Sequence, residues 1–171
     1  MQIIRNSRHK SRFDPKSLRT IRGLAFQKSI ELELSPLFQK VWNSREWFLQ
    51  QDKCLTDYQL NVLEHTWGDV VITDSNLPYK IFVECVSVGE NRSIFPEHKI
   101  KKFEGVNKYY CFGWDDDKRF VHSSVWNSYA RKLPDTMENY RPFTRKNITG
   151  LRSQFACVNS FVDAMFKLES V

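Results

Sequence analysis

The chain lacks several things, and each absence removes a class of function. None of its apolar runs approaches the ~20 residues that a membrane-spanning helix needs. Its first ten residues, Met-Gln-Ile-Ile-Arg-Asn-Ser-Arg-His-Lys, contain no apolar core of the secretory type. They are Arg-rich and acid-poor, which suits either an organellar transit peptide or a basic arm. The four cysteines (54, 85, 111 and 157) form no Cys-x-x-Cys pair, which argues against a zinc knuckle or a thioredoxin-like centre. Their scatter fits a reducing compartment, cytoplasmic or nucleoid-associated. There is no internal repeat, no low-complexity segment, and no helix-turn-helix or finger motif for base readout.

What is present is bulky core material: 41% hydrophobic residues, with 13 Phe and 5 Trp among 171. That is enough for one globular domain, expected over residues 15–171 behind an arm at 1–14. The net charge of +6 is a local device. Residues 1–22 hold seven of the 26 Lys and Arg but a single acid, Asp14, so the remainder of the chain is balanced. A polyanion such as nucleic acid is the usual partner for such an arm, and Arg5, Arg8, Lys10 and Arg12 would carry the contact.

Asp14-Pro15 reads as an N-cap with Pro at the first helical position, starting a helix that ends near Ser35-Pro36. Its apolar positions would be Leu18, Ile21, Leu24, Ala25, Ile30 and Leu32. Phe38 to Phe48 continues as a helical or irregular segment. Tyr58–Glu64, roughly alternating, is expected to open a three-strand meander continued by strands at 69–73 and 80–88. A helix beginning at Pro96 and a strand at 109–114 then suggest a crossover, with the last strand parallel to one already in the sheet. The tail from 134 to 150 reads as irregular, and 151–169 as an amphipathic helix.

Two acids stand out. Glu84 lies inside the apolar run Lys80-Ile-Phe-Val-Glu-Cys-Val-Ser-Val88, and Asp69 heads Gly68-Asp-Val-Val-Ile-Thr73. A charge in a buried strand is costly unless it is paired or bound to a metal. A loop centred on residues 76 and 77 sets 73 opposite 80, 71 opposite 82, and 69 opposite 84. The two acids would then share one face with β-carbons roughly 5 Å apart. Such a pair is either a structural acid pair or a cation site, and Mg2+ or Mn2+ suits carboxylates completed by water and phosphate oxygens.

With helix, meander, helix and strand in this order, the chain resembles the PD-(D/E)XK, or restriction-endonuclease-like, nuclease superfamily. The match rests on Gly68-Asp69-Val-Val-Ile and Phe82-Val-Glu84-Cys-Val86, over roughly residues 20–125. The resemblance implies an α+β mixed-sheet nuclease core and a Mg2+-dependent endonuclease acting on double-stranded DNA, with homodimerisation open. Asp69 and Glu84 would be both catalytic and metal-holding. The Arg22–Gln27 segment is similar to the family's first core helix, with Glu31 a stand-in for its acid. The family's lysine is missing: position 86 is Val. A replacement from the 96–103 helix is expected, with Lys99 preferred. Arg92 and Lys101 join the arm as nucleic-acid contacts. The competing readings are a non-catalytic nucleic-acid-binding protein on the same core, and a protein-interaction domain with a solubilising arm.

Deleting residues 1–12 should weaken DNA binding and flatten its salt dependence, because fewer phosphates are neutralised. A salt titration of fluorescence anisotropy checks this, and unchanged affinity refutes a role for the arm.

Overall fold

The computed structural model describes residues 18–114, 116–134, 139–151 and 154–167. The arm residues Arg5, Arg8, Lys10 and Arg12, and the Asp14-Pro15 helix start, lie outside that range. Helix α1 (Leu18–Leu34) runs through a 3-10 turn (Ser35–Leu37) into strand β1 (Lys40–Asn43). Helices α2 (Ser44–Gln51) and α3 (Asp57–Trp67) follow, then β2 (Val70–Thr73) and β3 (Ile81–Ser87). Strand β4 (Ser93–Pro96) leads into α4 (Glu97–Lys102), and β5 (Lys108–Trp114) and β6 (Asp117–His122) complete the sheet. Helix α5 (Ser123–Ala130), β7 (Tyr140–Phe143), α6 (Arg145–Gly150) and α7 (Val158–Lys167) end the described chain.

The main sheet has the order β1-β2-β3-β5-β6, and a separate ribbon pairs β4 with β7. β3 and β5 are parallel, as the α4 crossover demands, and every other pair is antiparallel. Strand alternation divides the core into two clusters. Tyr110 and Phe112 join Phe95, Ile100, Phe103 and Trp126 in one. Cys111, Val70, Ile72, Ile81 and Val83 join Ile30, Leu34, Phe161 and Met165 in the other.

Three expected elements differ. Residues 58–64 are not a strand but lie in α3; the first strand of the meander is β1, in the segment expected to be helical or irregular. The apparent alternation of Tyr58, Leu60 and Val62 was misleading, since only Leu60 is buried while Tyr58 and Val62 stay exposed. The signal that settles it is a capping box: Thr56 accepts from the Gln59 amide, and the Gln59 side chain accepts from the Thr56 amide. Residues 134–150 are not irregular throughout, because β7 and α6 fall there. The C-terminal helix, Val158–Lys167, starts later than expected and is preceded by a bridge between Phe120 and Ala156. In α1 the buried positions are Ile30 and Leu34, whereas Ile21, Leu24 and Leu32 are exposed.

Gly68 ends α3, donating its amide to the Glu64 carbonyl at 2.8 Å, with φ +86° and ψ −164°, a region essentially reserved for glycine. A β-carbon there would meet the Val83 carbonyl oxygen at 2.8 Å and Phe103 Cε1 at 3.0 Å. Gly68→Ala should therefore cost about 1–3 kcal/mol, read as a lower urea midpoint at unchanged m-value. A midpoint equal to the parent's would refute the constraint.

Candidate active site

Asp69 follows Gly68 directly. Its amide donates to the Val83 carbonyl at 2.9 Å, and pairing continues as Val70 with Val83, Val71 with Phe82, and Ile72 with Ile81. This is the register inferred from the loop; the ladder ends at Val70, and just before it the Asp69 carboxyl meets that of Glu84. The Asp69 carboxylate accepts from the Cys85 amide at 2.9 Å. Glu84 is buried, 4% exposed. Lys99, from the third position of α4, brings Nζ to 3.0 Å from Glu84 Oε1. The structure thus brings together the three residues singled out as catalytic. At position 86, Val86 packs against the core cluster beneath α4. Lys101 is exposed on the rim of the same cleft. Arg92 is exposed in the loop before β4 and does not line that cleft.

Burial, the charge of Glu84 and a hydrogen bond with Glu84 together push the Asp69 carboxyl well above the usual carboxylate range. Lys99 and the Cys85 amide oppose the shift but do not overcome it. A cation bound between two acids in such contact would offset their repulsion. Burial also raises Glu64, against the pull of Arg45, whose Nε lies 2.6 Å from Glu64 Oε1. Glu31 is raised as well, chiefly by burial, and feels the charges of Glu46 and Asp69. Gln27 reaches the Asp69 carbonyl at 3.4 Å, so the α1 segment does approach the site.

The donor set suits a hard cation. Among the described residues no group of three or more His, Cys, Asp or Glu side chains converges as a metal site. A cation at Asp69 and Glu84 would have two carboxylate ligands and complete its shell with water or phosphate oxygens, which is the habit of Mg2+ rather than of structural zinc.

These groups open into a cleft of about 700 Å³, whose walls include His65, His98, Lys99, Lys101, Lys102 and Tyr140. The His65 and His98 rings lie 5.1 Å apart. The ribbon holds α4 in place. Arg141 forks onto Glu97 with Nε at 2.7 Å and an Nη at 3.3 Å, and donates to the Leu133 carbonyl at 2.7 Å. The Glu97 amide donates to the Asn139 carbonyl at 2.9 Å. Hydrogen bonding from Arg141 lowers the Glu97 carboxyl below its ordinary range. Arg141, Glu97, His65 and Tyr140 all escaped the sequence reading. Nothing local marks an Arg and a Glu 44 residues apart as partners, whereas His65 is visible once α3 is recognised as a helix.

A carboxyl whose pKa is raised on folding favours the native state below its unfolded pKa and loses that contribution as pH rises through the folded value. Asp69→Asn should accordingly raise Tm at pH 8, by about 2 °C or more, with a smaller gain at pH 5. Calorimetry at both pH values measures this, and a lower Tm at pH 8 would contradict the strain assigned to the pair.

No family model matches the sequence, and no curated protein matches it. Among solved structures the chain is similar to Archaeoglobus fulgidus Hjc, a Holliday junction resolvase from an archaeal hyperthermophile. The TM-score is 0.50 at 10% identity, covering 83% of this chain and 96% of that one. At that identity the likeness is one of fold, and the five-stranded mixed sheet with flanking helices is the restriction-endonuclease-like arrangement.

Proposed function

We propose that the protein is a metal-dependent phosphodiesterase of the PD-(D/E)XK kind, acting on DNA, in which Lys99 replaces the lysine that position 86 lacks. The observation that carries this reading is the 3.0 Å contact of Lys99 Nζ with Glu84, beside the Asp69 carboxylate anchored by the Cys85 amide. A purely structural acid pair gains nothing from opening into a cleft rimmed with lysines. The resolvase neighbour supports the fold on which such chemistry would sit.

Asp69 and Glu84 would hold Mg2+ or Mn2+, and the ion would supply polarisation of the phosphodiester and a lower pKa for an attacking water. The Cys85 amide and the Gly68 turn fix the Asp69 carboxylate in place. Glu84, walled by buried neighbours, is held by the Lys99 ammonium at 3.0 Å. Lys99 also places positive charge where a phosphate gathers negative charge during displacement. Lys101 and the basic arm would engage neighbouring phosphates. Val86 still favours one other reading, a binding protein that has lost catalysis. The lysine supplied from α4 weighs against it.

Asp69→Asn, Glu84→Gln and Lys99→Met should each slow Mg2+-dependent cleavage of a labelled DNA by about 100-fold or more. Mn2+ should raise the Tm of the parent but not of the Asp69→Asn, Glu84→Gln double variant. Parental cleavage by all three variants would sink the proposal. Salt-steep binding without cleavage in either metal would establish the binding-only reading.

A further inference from the structure

The cleft walls contain more than the carboxylates and Lys99. Two further acids line it, Glu64 and Glu97, and each is tied to an arginine: Glu64 to Arg45 at 2.6 Å, Glu97 to Arg141 at 2.7 Å. Beyond Asp69, Glu84 and Lys99, the wall charge offered to a ligand is therefore that of the exposed Lys101 and Lys102. Interleaved with these ammonium groups are rings from three different elements: His65 near the end of α3, His98 in α4, and Tyr140 at the start of β7.

Lysines alone would serve any polyanion. Rings beside them serve a nucleic acid whose base faces are open, because in a continuous duplex those faces are covered by neighbouring bases.

We infer, resting on the phosphodiesterase reading, that the cleft admits an unpaired strand, with nucleotides beside the scissile phosphate stacked on Tyr140 and His65 and adjacent phosphates held by Lys101 and Lys102. The partner narrows from double-stranded DNA at large to DNA presenting a single-stranded segment. Tyr140 and His65 act as specificity determinants, because a ring adds affinity only where a base is free to meet it.

The test is binding by the full chain, in EDTA so that no cleavage intervenes. The probes are a fluorescein-labelled oligothymidylate, the same length of abasic strand, and a blunt duplex. Tyr140→Ala and His65→Ala should each weaken oligothymidylate binding about 5- to 100-fold. Both should leave abasic and duplex binding nearly unchanged, and Tyr140→Phe should restore the parental value. The basic arm contributes equally to parent and variants, so the ratios isolate the rings. Circular dichroism melts confirm that each variant is folded. Equal losses on all three probes, or no loss on any, overturn the inference. The two proposals fail separately: a ring-dependent preference for the unpaired strand without cleavage in Mg2+ or Mn2+ removes the phosphodiesterase, and metal-dependent cleavage without the ring signature removes the stacking role.

Discussion

Two carboxyl groups pressed together across the β2–β3 hairpin set the terms for the rest of the molecule. Burial first, and then the neighbouring Glu84, raise the Asp69 carboxyl well out of its usual range. The surroundings hold that arrangement instead of relieving it. Gly68 supplies a backbone turn open to few other residues, the Cys85 amide anchors one acid, and Lys99 anchors the other. Lys108 works behind them: its buried ammonium donates to the Thr66 carbonyl at 2.8 Å and sits over the Trp67 ring, tying the start of β5 to the end of α3.

The sequence disclosed this part well because local rules govern it. Loop length fixed the hairpin register, and the apolar run around Glu84 left little choice but a buried strand. The parallel β3–β5 pairing followed from a helix between two strands. Alternation misled at Tyr58–Glu64, where three apolar residues two apart suggested a strand although the capping box Thr56–Gln59 encoded a helix start. The β4–β7 ribbon was illegible for another reason. Its strands are separated by a helix, two sheet strands and a further helix, so their pairing is decided by tertiary packing.

The meeting of Asp69, Glu84 and Lys99 in the candidate site was legible to the same degree. Asp69 and Glu84 were identified by the cost of their charge, and Lys99 by its place on the crossover helix. The devices that position Lys99 were not. Arg141 holds the first turn of α4 through Glu97, while Asn127 accepts from the Tyr110 hydroxyl and donates to the Phe103 carbonyl at the far end of that helix. Each is a long-range contact between polar residues of ordinary appearance.

Placing the ammonium on α4 separates it mechanically from the carboxylates. Asp69 and Glu84 are set by the β2–β3 hairpin of the central sheet. Lys99 belongs to a six-residue helix braced at its first turn by a two-stranded ribbon outside that sheet. What sets the ammonium beside Glu84 is therefore side-chain packing, with Ile100 and Phe103 sunk in the same core as Phe95 and Phe143 of the ribbon, and not the hydrogen-bond ladder that places the acids. A cavity cut into that core would move the lysine and leave the carboxylates where they are.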